Sequence, residues 1–180
     1  MARPRRTKTL KVHIKIIGPL SVNTNNIIAA TNEIFAQAKV VVQFPPIEPL
    51  NLPEDELEFF EPMDVGACRS DPAQDQIDIS AFRNNAGAKD VVAYVCRTIV
   101  GDAVDGCSTH PRGVPMVVIE SQAPNSVLAH ELGHLLMLDH CGDLLTNRLM
   151  NSSVSPIPPP LELTDDEIRR MRRSRLLKNL

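Results

Sequence analysis

His130-Glu131-Leu132-Gly133-His134-Leu135-Leu136-Met137-Leu138-Asp139-His140 is the stretch on which the reading of this chain turns. Two histidines stand four residues apart with a glutamate after the first, and a third histidine follows six residues later. On an α-helix, side chains at i and i+4 leave one face about a turn apart. His130 and His134 can then aim two imidazoles at a common centre, which is half of the tetrahedral shell that zinc takes. Glu131 lies further round the helix, where a carboxylate serves better as a general base on water than as a ligand. A bare HExxH arises by chance in many apolar helices. The extra histidine makes the pattern specific.

Outward from this stretch, Val114 to Glu120 reads as a strand, and Pro124-Asn125-Ser126 opens the histidine-bearing helix with Asn125 or Ser126 as N-cap. Near the start, Leu10/Val12/Ile14/Ile16 alternate with Lys11/His13/Lys15, the pattern of a half-buried strand. Thr24 to Lys39 has helical spacing, and Val40 to Phe44 is a short strand ended by Pro45-Pro46. Strand, helix, strand predicts a crossover and a parallel pair. Residues 45 to 76 are rich in proline and acid and read as a long surface excursion with one helical turn. Ile79 to Asn85 is a short helix and Val91 to Ile99 a third strand. The Gly101 to Gly113 connection carries a short edge strand near Cys107-Ser108-Thr109-His110. Beyond His140, Cys141-Gly142-Asp143 is a sharp turn and Asn147 to Ser152 a loop. A link from Pro156 to Pro160 leads to Thr164-Asp165-Asp166-Glu167, a capping box for a helix over Ile168 to Leu177.

The 180 residues suit one domain with an aliphatic core, because aromatics make up only 3% of the chain. No run approaches the ~18 apolar residues of a membrane span. Six Lys/Arg and no acid occupy residues 1 to 15, and six Lys/Arg against three acids occupy residues 165 to 180. The net charge of −3 therefore hides an acidic body between two basic ends, read as solvated ends or as contacts for an anionic partner. Lys11, His13 and Lys15 interrupt what would be the apolar part of a signal peptide. Cys68, Cys96, Cys107 and Cys141 form no CxxC pair. The expectation is a cytoplasmic chain with free thiols. A secreted mature form with up to two disulfides stays open. Cys141 reads as a packed free thiol or a disulfide partner, with Cys107 nearest in sequence. His110 reads as a loop histidine and His13 as an exposed strand position.

With these residues in view, the chain resembles the metzincin clan of zinc metallopeptidases. That clan carries HExxHxxGxxH and then a loop whose methionine lies beneath the metal. His130, Glu131, His134 and His140 match the signature, and Leu149-Met150-Asn151 resembles the methionine loop. The resemblance implies an α+β, zincin-like fold across nearly the whole chain. Its parts would be a twisted mixed sheet with an antiparallel edge strand, a backing helix, the active-site helix and a C-terminal helix. It implies a single metallopeptidase domain over 1–180: a basic tail at 1–9, an upper subdomain at 10–140 and a lower one at 141–180. It also implies one Zn²⁺ per chain on His130, His134 and His140, Glu131 as general base, a protein or peptide substrate, no membrane association and a monomer. Two positions depart from the clan. Met137 stands where the clan has glycine, so either Met137 is strained or the helix ends differently, for example at Asp139, the substitute ligand should His140 not reach. Ser152 stands where some members carry tyrosine.

Two other readings stay open on sequence. One is a metal-dependent endoribonuclease of the three-histidine rRNA-maturation type, which often ends its motif in Asp-His and would suit basic termini. The other is a non-catalytic zinc-binding module.

Overall fold

The structure is a computed structural model, described over residues 6–68, 71–100, 105–142, 147–151 and 161–180. Residues 1–5 of the basic tail, the start of the Gly101–Gly113 connection, Asp143, Ser152 and the Pro156–Pro160 link lie outside the described residues.

The central strand is β1 (Lys8–Ile17), followed by helix α1 (Thr24–Ala36) and strand β2 (Val40–Gln43). β1 and β2 are parallel, as the strand–helix–strand order predicts, with Lys8 opposite Val40. The chain continues through β3 (Glu48–Leu50), α2 (Glu54–Phe59), β4 (Met63–Asp64), α3 (Gln74–Ile79) and a 3₁₀ turn over Ser80–Phe82. Then come β5 (Val91–Cys96), β6 (Ile99–Val100), β7 (Gly106–Cys107), β8 (Met116–Glu120), α4 (Val127–Leu135), α5 (Asp165–Met171) and β9 (Lys178–Asn179). The main sheet runs β2-β1-β5-β8-β7, with β3 and β9 also paired to β1. β7 is antiparallel to β8 at the edge, as expected, while β1, β5 and β8 are mutually parallel. This is the mixed sheet with an antiparallel edge strand that the resemblance implies, and it is mostly parallel.

Strand alternation divides the apolar residues between two faces. Val12 and Ile14 of β1, Val91, Ala93 and Val95 of β5, and Val117 and Ile119 of β8 share one core with α1, α4 and α5. Val92, Tyr94, Cys96, Met116 and Val118 look the other way, into a core with Leu50, Phe60, Met63, Val65 and Ile79.

Several expectations are corrected here. The 45–76 segment is not a surface excursion. Its Leu50, Phe60, Met63 and Val65 are buried, and β3 adds to the sheet. β1 is not half-buried, because paired strands flank it and chain covers both of its faces. His13 is buried rather than exposed, with Nε2 3.3 Å from the Asp90 carboxylate. Lys15 is wholly buried and donates to Glu48 at 2.7 Å and to Asn84 at 2.9 Å. The cysteines are not all free: Cys68 and Cys107 form a disulfide, leaving Cys96 and Cys141 as thiols. The third strand stops at Cys96 and the last helix at Met171, both earlier than periodicity suggests. The Thr164/Glu167 capping box forms as read, with each side chain bonded to the other residue's backbone N–H. Among the described residues, no helix is long and apolar enough to cross a membrane.

Candidate metal centre

Helix α4 leaves β8 through Ser121–Ser126 and lies against the first core with Val127, Leu128, Leu132 and Leu136 buried. Ser126 is the N-cap position, without a side-chain hydrogen bond. The apolar stripe fixes the helix rotation, and His130 and His134 emerge together on the neighbouring face.

Each imidazole is oriented by a backbone carbonyl. His130 Nδ1 lies 2.7 Å from the Leu149 carbonyl and His134 Nδ1 2.9 Å from the Leu138 carbonyl. A carbonyl only accepts, so both rings carry their proton on Nδ1 and present a bare Nε2 lone pair. His140 Nε2 sits 3.2 Å from that of His130 and 3.1 Å from that of His134. Nitrogens around a tetrahedral zinc, at about 2.0–2.1 Å from the metal, stand roughly 3.3 Å from one another. Lone pairs converging at that spacing repel unless a cation lies between them. The donor set thus fits one metal ion, and it is the three-residue group among the described residues with ligand atoms close enough to hold one. Burial drives the His130 pKa down to about 4, against the pull of its Leu149 hydrogen bond. Burial likewise lowers that of His134. Both rings are therefore neutral near pH 7, the form that binds metal.

His140 reaches this centre because the chain reverses after the helix. α4 ends at Leu135, and Met137 takes a left-handed conformation with φ of 74°. Met137 is thus the strained residue. The Leu138 N–H then bonds back to the Gly133 carbonyl at 3.0 Å. Asp139, the alternative ligand, turns outward and pairs with Arg170 at 2.5 Å, which holds its carboxyl below the usual range.

Glu131 is buried on the side of the edge strand. Burial pushes its carboxyl up to about 8, with a hydrogen bond from Ser108 acting the other way. A cation on the imidazoles would favour its carboxylate form. Gly106 of β7 makes this approach possible: a Cβ there would fall 2.8 Å from Val127 Cγ1 and 2.9 Å from Glu131 Cγ. Gly133 does the same for the methionine loop. A Cβ on it would lie 2.6 Å from the sulfur of Met150, which is fully buried.

The structure therefore brings His130, His134 and His140 together and places Glu131 beside β7. His110 stands outside the three-histidine group, its Nδ1 2.8 Å from the Pro111 carbonyl, and lines the cavity beside His134. Gly106, Ser108, Gly133 and the Leu149 and Leu138 carbonyls are parts of the site that sequence reading missed. The two glycines were the available signal, since each sits where a small residue has no local turn to make.

No protein-family model and no curated protein sequence matches the chain. Solved structures do share its fold. It is similar to metalloproteinase-II from Bacteroides fragilis, with a TM-score of 0.63 and 18% identity over 92% of this chain and 52% of that one. The chain thus spans about half the length of that protein. It is also similar to archaemetzincin from Methanopyrus kandleri, with a TM-score of 0.56 and 17% identity over 92% of this chain and 94% of that one. At these identities the likeness is one of fold, and it covers 92% of this chain.

Proposed function

We propose that the chain is a zinc-dependent endopeptidase of the metzincin type. His130, His134 and His140 would hold one Zn²⁺, and Glu131 would act as general base. The observation that carries this reading is the convergence of the Nε2 atoms of His130, His134 and His140 beside a buried glutamate. The fold shared with a metalloproteinase and an archaemetzincin supports it. Bound there, zinc would supply Lewis acidity toward a water and a peptide carbonyl.

The chain's own residues account for the rest. Glu131 takes the proton of the attacking water on a carboxylate oxygen and returns it to the departing amine. Among the described residues β7 stands at one edge of the sheet, so an extended substrate can add there by main-chain hydrogen bonds. In this reading the chain divides into an upper part (10–140) that ends in the histidine helix and a lower part (141–180). Met150, packed on Gly133 under the helix, serves as the hydrophobic floor that keeps the imidazoles in place.

The deciding experiment sets zinc-loaded wild type beside Glu131→Ala on a peptide library and on structured RNA. We expect peptide cleavage by the wild type, a loss of ~10²–10⁴-fold in the variant, and unchanged zinc content. His134→Ala should lose most of its zinc. Unchanged turnover by Glu131→Ala would refute the assigned role. Cleavage of RNA alone would favour the endoribonuclease reading, and zinc binding without either activity the non-catalytic one.

A further inference from the structure

A cavity of about 720 Å³ opens beside His134, between the end of α4, the β7–β8 connection and the segment after α5. Its size is that of a small-molecule or side-chain pocket. Leu135, Met137, Pro115 and Leu176 give it apolar walls, and no Asp or Glu lines it. The charged residues among its lining are Arg173 and Arg175.

These two arginines differ from their neighbours. Arg169 pairs with Asp166, Arg170 with Asp139, and Arg172 donates to the Ala38 carbonyl at 2.6 Å. Arg173 and Arg175 are exposed, and neither forms an ion pair among the described residues. Their backbone is nonetheless held in place. The Arg173 N–H bonds to the Arg170 carbonyl at 2.9 Å and the Ser174 N–H to that of Met171 at 3.0 Å. Ser174, buried between them, accepts the Leu176 N–H at 3.3 Å on its hydroxyl. Two unspent guanidinium forks thus stand at an apolar pocket in a chain whose net charge is −3. A guanidinium matches a carboxylate in shape and charge.

We propose that this cavity is a substrate subsite selective for a carboxylate, with Arg173 and Arg175 as its specificity-determining residues. The proposal rests on the peptidase reading above and adds a substrate class to it: peptides that place an acidic side chain or a free C-terminal carboxylate in this pocket. A lysine there would meet two like charges and no acid.

The test uses zinc-loaded full-length protein and fluorogenic peptides that differ only in carrying Glu, Gln or Lys at one scanned position. Each peptide is made as C-terminal acid and as amide. Wild type should favour Glu over Lys by about tenfold or more in kcat/KM, mainly through KM. The double variant R173E/R175E should invert that order, and Arg175→Gln alone should reduce it. Preference for the acid over the amide terminus, with no side-chain effect, would assign the pocket to a terminal carboxylate and still support the proposal. Cleavage with equal rates for all peptides would overturn the proposal and leave the peptidase reading intact. Fluorescence anisotropy with the same labelled peptides on Glu131→Gln separates the remaining cases. Carboxylate-selective binding that the double reversal abolishes, without cleavage by wild type, would keep the subsite and sink the peptidase. Absence of both selective binding and cleavage would overturn both.

Discussion

On one face of the sheet, Val91, Ala93 and Val95 of β5 meet helices α1 and α4. On the other, Val92, Tyr94 and Cys96 meet the irregular chain between residues 45 and 82. The first face is closed by amphipathic helices and carries the metal-capable histidines. The second is closed by two short strands, two short helices, a 3₁₀ turn, a disulfide and scattered apolar residues, and it buries Lys15 and His13 as well. Equal burial can therefore be reached by regular packing or by many separate anchors. Only the regular kind leaves a periodic trace in the sequence.

The sharpest way to break this comparison is to cut one anchor on each face. Leu132→Ala in α4 and Met63→Ala in β4 both remove a fully buried side chain, and each should cost ~2–5 kcal/mol in urea denaturation. If the 45–82 segment were merely a surface loop, Met63→Ala would fall within about ±0.5 kcal/mol. Next in size is the covalent anchor. Cys68 and Cys107 are 39 residues apart in sequence, so replacing both with serine should cost ~2–4 kcal/mol. Hydrogen exchange should locate the loosening on the second face, with α4 little changed.

A smaller effect concerns acid. Burial opposes ionisation of Asp90, but hydrogen bonds from Lys178, the Gly87 N–H and His13 outweigh it and hold the carboxyl well below the usual range. A depressed folded-state pKa gives stability that is present above the unfolded value of ~3.9 and lost as pH falls toward the folded one. Wild type should therefore lose more stability than Asp90→Asn between pH 5 and pH 3, read from urea midpoints. The smallest effect belongs to the first face: Met150→Leu, close to volume-conserving, should cost below ~1.5 kcal/mol and leave zinc bound.

The same contrast explains what the sequence disclosed. β1, α1 and α4 were legible by the period of their apolar residues, and β2 and β8 as short continuous apolar runs. The three histidines were legible because their spacing is local. Met137 was legible as a problem, in that a side chain stood where the chain had to reverse, and its φ of 74° gives the answer. The second face was opaque because Phe60, Met63 and Val65 are scattered among acids and a proline, with no period to betray them. The Cys68–Cys107 pairing was equally hidden, since cysteine spacing does not encode connectivity. At the site, the contact of Met150 with Gly133 and the carbonyls of Leu149 and Leu138 depend on chain closure that no local pattern announces.

Lys15 gives the sheet a form of proofreading. It stands directly opposite Glu48 in the β1–β3 register, and opposite Tyr94 in the β1–β5 register. A slip of β1 by one residue would turn every side chain to the other face. The ammonium would then enter the aliphatic layer of Ala93 and Val95, out of reach of Glu48 and Asn84. Stranding one partner of a buried ion pair costs ~3–5 kcal/mol. An all-aliphatic strand would tolerate several alignments, whereas this one admits a single arrangement. The register of β1 in turn decides where β5, β8 and the histidine helix lie.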